Sequence, residues 1–498
     1  MFVICWVMIK QTLTPASIAF HRFGLGASVD DTVVSDARRF LFDQFASYEA
    51  VPAVMGLLPD GDALRISFLA DRREARRWSS EKLGSPSDTA HQGKVIARQR
   101  TSKAGKPSGR TVHIDSKRDY PQDIRALYHS FAQARMASAI HTRAPFVERM
   151  VHFWANHFCV SADKLQTLAL AGAFERDAIR PHVLGRFVDM LLAVEQHPAM
   201  LIYLDQAQSI GPGSLAAQQA WKSNLNRRRG LNENLAREVM ELHTLGVRSG
   251  YNQKDVTEFA KALTGWTVSD VDDARNGEVM GFRFLSRRHE PGARTIMGQT
   301  FAQVGVTQGE AILAGFAKAP QTALHIATKL ARHFAGDNPP RTLVNRLAAS
   351  FTISGGDLPT LYHTLIESPE AWVDHPVKFR SPWDWTVAVL RLLGPDVLRQ
   401  VQTANILDLL GQPVWKPGSP AGWDDLAASW AGPNALLRRV EIAQRLASLA
   451  ADRIDARTVG ERLLPGSLDQ ATARQIARAE SPATALAILL VSPAMLRR

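Results

Sequence analysis

Apolar residues recur three and four positions apart along most of this chain, the spacing that gathers them on one face of an α-helix. DIRALYHSFAQARMASAI (123–140), LAAQQAWKSNLN (215–226), AILAGFAKAPQTALHIATKLARHFA (311–335) and ALLRRVEIAQRLASLAADRI (435–454) all follow it. One stretch alternates instead: in MGFRFLSRRHEPGARTIMGQTF (280–301), Phe282 and Phe284 and then Thr295 to Met297 flank a Pro-Gly turn, which predicts a hairpin carrying His289 near its tip. ISGGDLP (353–359) reads as a linker, and GQPVWKPGSPAGWDD (411–425) as a Pro/Gly loop. The fold class is therefore mainly α. The expected organisation is a large multi-helix domain over 17–498, after a short extension (1–16), with a short β-hairpin and a disordered basic insertion at 71–119.

Two of the helices carry candidate chemistry. In the first, which Pro145 suits as an opening residue, Phe146, Val147, Met150, Val151, Phe153, Trp154 and Phe158 share one broad arc. His157 falls inside that arc, whereas Arg149, His152 and Asn156 fall on its polar side. A buried imidazole needs partners for its ring nitrogens, because an unpaired buried polar group costs on the order of 1–3 kcal/mol.

In the second, LNENLAREVMELHTLGV (231–247), Asn232 is the expected N-cap, Glu233 sits in the first turn and Gly246 ends the helix. Val239 and Leu242 centre its apolar face, Glu238 and His243 flank it, and Glu241 stands beside Glu238. A carboxylate so close to the core needs a partner. Three remain open: an ion pair to Arg149, Arg180 or Arg332; a zinc, manganese or iron site built from Glu238, Glu241, His243, His157 and His289; or a metal-free acid–base pair of Glu238 with His157 or His243. The catalytic candidates are Glu238, His157 and Asn156. In the following helix Asn252 and Asp255 have capping-box spacing, which assigns Asp255 to structure.

Composition narrows the classes. Of 498 residues, 45% are hydrophobic and 21% charged, as in soluble globular proteins, and no apolar run spans a membrane. The start, MFVICWVMIK, is short and its positive charge follows the apolar stretch, so a secretory signal is not expected and a cytoplasmic location is. Cys5 and Cys159 offer neither a disulfide framework nor a CxxC pair. The net charge of +11 is largely local, since residues 94–118 hold eight Lys or Arg against one Asp. No aromatic residues interleave there, so the segment reads as a solvated loop and not as a specific nucleic-acid surface. There is no GxSxG elbow, no Walker A sequence and no complete GxGxxG.

Eight blocks then converge: RFGLGAS, ERMVHFWANHF, HPAMLIYLD, NENLAREVMELHTLGV with GYNQKDVTEFAKALTGW, HEPGARTIMG, KLARHFAGDNPP, GQPVWKPGSPAGW and LLVSPAMLRR. Together, over about residues 17–498, the chain resembles the bacterial family called domain of unknown function 1800. The resemblance implies a large, mostly helical protein and supplies little chemistry. Many members carry His where Ala155 stands, and others Phe where His243 stands, which favours His157, Asn156, Glu238 and Glu241 as site residues. Relatives are often exported and encoded beside proteins of the alkaline-phosphatase superfamily, the partner class that the resemblance implies. The leading expectation is an enzyme with a buried Glu/His site, a divalent metal and hydrolase-like chemistry. Opposed to it is a non-catalytic scaffold whose buried Glu/Arg/His network is structural.

Overall fold

Helices form where apolar residues repeat at helical spacing, and their ends fall at prolines, glycines and capping side chains. The computed structural model of the chain describes residues 12–28, 31, 34–83, 120–222, 230–276, 281–464 and 466–498. The helices that frame the candidate site are Tyr120–His141 (α1), Pro145–His157 (α2), Phe187–Gln196 (α3), Asn234–Glu238 (α4), Gln253–Leu263 (α5), Pro320–Ala335 (α6) and Pro382–Leu393 (α7). A π-turn over Val239–His243 continues α4, and Gly246 follows with φ +89°. Asn252 and Asp255 form the expected capping box at the start of α5.

The 311–335 run is two helices, Val306–Ala317 and α6, because Pro320 lacks the N–H that would continue the first and has the φ that starts the second. Leu215–Lys222 is helical, and residues 223–226 of that segment lie outside the described residues. The expected basic insertion is shorter than 71–119: residues 71–83 belong to the helix Gly61–Leu83, where Arg73 reaches Asp272 at 3.0 Å. Its remainder from 84 to 119, like residues 1–11, lies outside the described residues.

The expected hairpin is replaced by two small antiparallel sheets. Phe282–Phe284 (β2) pairs with Trp266–Val268 (β1), and Arg294–Ile296 (β3) pairs with Gln299–Phe301 (β4). The second closes through Met297 and Gly298, both with positive φ (49° and 80°), the conformation that favours tight hairpins. The Pro-Gly step only connects the sheets. Residues 353–359 are likewise a pinned turn and not a loose linker, since Gly356 O accepts from Phe187 N at 2.8 Å and Leu358 N donates to Gly185 O at 3.0 Å.

Buried apolar side chains form one connected cluster from Leu13 to Met495. α2 runs through it and is buried on nearly every side, so Arg149 and His152 are interior, not marginal as their helical position suggests. Charge pairing makes this tolerable. Glu148 accepts from Arg180 Nη1 at 3.0 Å, closely from Arg180 Nη2, and from Ser138 Oγ at 3.0 Å. Arg135 meets Glu175 at 2.6 Å, and its guanidinium carbon lies over Trp383, 4.0 Å from the ring centroid. A buried charge is stable only with such partners. Among the described residues no helix is long and apolar enough to cross a membrane.

Candidate functional site

The polar face of α2, the start of α7, one side of α6 and the loop 411–425 line a partly open cavity of about 360 Å³. The loop is anchored to α2 and to the segments around it. Asn156 Nδ2 donates to Trp423 O at 2.9 Å and Asn156 Oδ1 accepts from Trp423 N at 2.8 Å. Trp415 O accepts from Ala162 N at 2.8 Å, the Trp415 indole donates to Glu175 Oε2 at 3.2 Å, and the Tyr128 hydroxyl donates to Val414 O at 2.7 Å. Trp415 has φ +51°, a conformation that costs a bulky residue on the order of 1–3 kcal/mol and that the surrounding bonds enforce.

Gly422 is the tight point. With φ +79°, a Cβ there would lie 2.3 Å from the Asn156 carbonyl oxygen. Gly422→Ala is therefore expected to lift the loop from α2 and to open residues 411–425 to limited proteolysis that the unaltered chain resists. Equal resistance would show that the loop can shift without losing its anchor.

Charged groups lining the cavity divide into committed and uncommitted. Asp384 meets Arg149 Nη1 at 3.1 Å and Arg498 Nε at 3.2 Å. Asp425 lies 3.4 Å from Lys378 Nζ and 3.7 Å from His333 Nδ1; against the cost of burial, the His333 contact and then the charges of Lys378 and Arg498 hold it down at about 2. Asp424 is exposed at the rim and accepts from Ser429 Oγ and Leu426 N. Lys329 and Arg332, three residues apart on α6, both line the cavity. Neither makes a hydrogen bond or ion pair with any described residue, and Arg332 Nε is buried without a partner. Burial lowers Lys329 to about 8, with Asp425 and Cys159 opposing and Arg332 reinforcing the shift. The Cys159 thiol is pushed up to about 12 by burial, which leaves it a weak nucleophile.

Three imidazoles line the cavity as neutral bases. His157 Nε2 donates to His243 O at 3.1 Å, while its Nδ1 is buried without a partner. Burial, then Lys329, His325 and His243, holds its pKa well below the usual range. His152 Nδ1 accepts from the Trp383 indole at 3.1 Å. His333 is lowered to about 4 by burial and then Arg498, and its Nε2 accepts from Arg498 Nη2 at 3.3 Å.

The metal-ligand candidates do not gather. His243 Nδ1 is 2.8 Å from Glu195 Oε1, both side chains fully buried, so its carboxylate partner is Glu195 of α3 and not Glu238. Glu238 is half-buried with its pKa raised by that burial, and it does not line the cavity with His157. The expected bridges from Arg149 or Arg180 to Glu238 are likewise absent, because Asp384 and Glu148 hold those two arginines. Glu241 lies 3.6 Å from Arg237. His289 Nδ1 donates to Thr264 O at 2.9 Å beside Phe284. Among the described residues no three His, Cys, Asp or Glu side chains are placed to hold one ion.

Lys329, Asp384 and Glu195 were absent from the sequence-derived candidates, and Arg332 entered only as an ion-pair partner for Glu238. A signal existed for some. His325, Lys329, Arg332 and His333 recur at helical spacing beside the apolar Ile326, Leu330 and Phe334, and Glu195 follows Phe187 and Leu191 along the buried face of α3. Asp384 looks like an ordinary acidic residue in a first helical turn.

The model of a family described as "Protein of unknown function (DUF1800)" matches residues 18–497. No curated protein and no solved structure matches the chain.

Proposed function

The chain belongs to the DUF1800 family, and on that premise we propose that the cavity between α2, α6 and the 411–425 loop is an enzyme's binding pocket for a small anionic molecule. The observation that carries this reading is the pair Lys329 and Arg332, which face the cavity with no bonded carboxylate or carbonyl among the described residues. By contrast Arg135, Arg149 and Arg180 meet carboxylates, and Arg22, Arg391 and Arg439 donate to backbone carbonyls. An uncompensated cation in a confined site costs stability that a bound anion restores. The three lining aspartates do not cancel the attraction, because two already answer cations and the third is at the rim. Trp423 and Trp430, with ring centroids 5.9 Å apart, supply an apolar wall beside the charges.

This reading keeps enzyme chemistry and replaces the metal by an amine. His157 remains a site residue as a neutral base. Asn156 becomes a positioning residue, because both ends of its amide hold Trp423. Glu238 is left outside the pocket.

Oxalate and phosphate, added to the purified chain during thermal unfolding, test the reading. A saturable rise of a few degrees in Tm is expected for at least one of them, and its loss in Arg332→Gln. No rise with either anion, or a rise that survives Arg332→Gln unchanged, would leave the scaffold alternative as the better account.

A further inference from the structure

We infer that the Lys329 amine is a nucleophile: its nitrogen attacks the carbonyl carbon of a small oxo acid whose carboxylate is held by Arg332. This rests on the reading of the cavity as an anion site and names the ligand class. Side chains three apart on a helix emerge about 5–6 Å from one another. An oxo acid, with carboxylate and carbonyl on neighbouring carbons, matches such a pair, and a simple inorganic anion uses only the charge. The amine is available because no described carboxylate bonds it, and because burial beside a guanidinium favours its neutral form, the usual route to a nucleophilic lysine.

The step balances without an oxidant or metal. The ammonium first gives one proton to a base, and the nitrogen lone pair forms the C–N bond to give a carbinolamine. The proton then returns to the leaving hydroxyl, water departs, and a protonated imine remains. Solvent takes that proton and returns it, while His157, which lines the cavity with Nε2 tied to a carbonyl and an unpartnered Nδ1, offers a hydrogen-bond acceptor to the carbinolamine. His333 is less suited, because Arg498 donates to its Nε2 and Asp425 stands by its Nδ1.

Glyoxylate with sodium cyanoborohydride tests the inference on the full chain, since reduction converts the imine to a stable carboxymethyl-lysine that peptide mass mapping locates. The expected result is a saturable adduct at Lys329, formed at least about tenfold faster at neutral pH than at exposed lysines, because a larger unprotonated fraction outweighs the lower nucleophilicity of a less basic amine. Its rate should rise through about pH 8. Oxalate should slow it, and Arg332→Gln should abolish the preference for glyoxylate over uncharged acetaldehyde. His157→Gln should slow adduct formation. If Lys329 labels no faster than exposed lysines while oxalate still raises Tm, the imine inference is overturned and the anion pocket stands. If neither oxalate nor phosphate raises Tm, both fall.

Discussion

Asp384→Asn should destabilise the fold by about 3–5 kcal/mol, the cost of breaking a buried ion pair from one side. Asp384 sits in the first turn of α7, capped by Ser381 Oγ at 3.2 Å from its N–H, and its carboxylate meets both Arg149 and Arg498. Arg380 and Arg439 are close enough for their charges to be felt there, and each has a buried Nε and Nη1 without a partner. Four guanidiniums thus rely largely on one carboxylate. An amide keeps the shape and some hydrogen bonding but removes the charge, so the arginines would repel one another in a medium that screens poorly.

The same residue sets an acid limit. Burial alone would raise its pKa, but Arg149 and then Arg498 outweigh that and hold it far below the usual carboxylate range. A carboxyl with a depressed folded-state pKa contributes stability that is fully present above its unfolded value, about 4, and is lost as pH falls toward the folded value. Chemical unfolding at pH 7 should therefore show the large gap between the two proteins, and the gap should narrow steadily below pH 4. A loss under about 1 kcal/mol at pH 7 would mean that other groups neutralise the arginines.

Lys329→Met should have the opposite sign and raise stability at pH 7 by on the order of 2 kcal/mol, because methionine fills similar space without a desolvated charge. The groups acting on Lys329 are Asp425 and Cys159, which favour its charge, and Arg332, which does not; His157 and His325 feel its charge in turn. Its folded-state value of about 8 lies below the ordinary 10.5, so the native state sheds its proton first as pH rises. Stability therefore increases between those values for the lysine protein, and the penalty is complete below pH 8. The advantage of the methionine variant should shrink from pH 8 to pH 10. A constant difference, or none, would show that the ammonium is compensated in solution. A stabilising substitution at the proposed working residue is the usual sign of a group retained for chemistry at the expense of stability.

The sequence by itself determined the helical class, the burial of His157, the Asn252–Asp255 cap and the membership of a family, because these depend on neighbours within a few turns or on residue order alone. It also brought α2 and the 411–425 loop into view as separate motifs. Only the tertiary structure decided which charges meet. Glu195 finds His243 across 48 positions, Asp384 finds Arg149 across 235, and Asn156 grips Trp423 across 267. Helical periodicity reports which face of a helix is apolar and says nothing of what is packed against its polar face. That is why Arg149 and His152 looked marginal yet are interior, why Glu238 looked buried yet lies outside the cavity, and why Lys329 and Arg332, ordinary on an amphipathic helix, emerge as uncompensated cations only when the walls around them close.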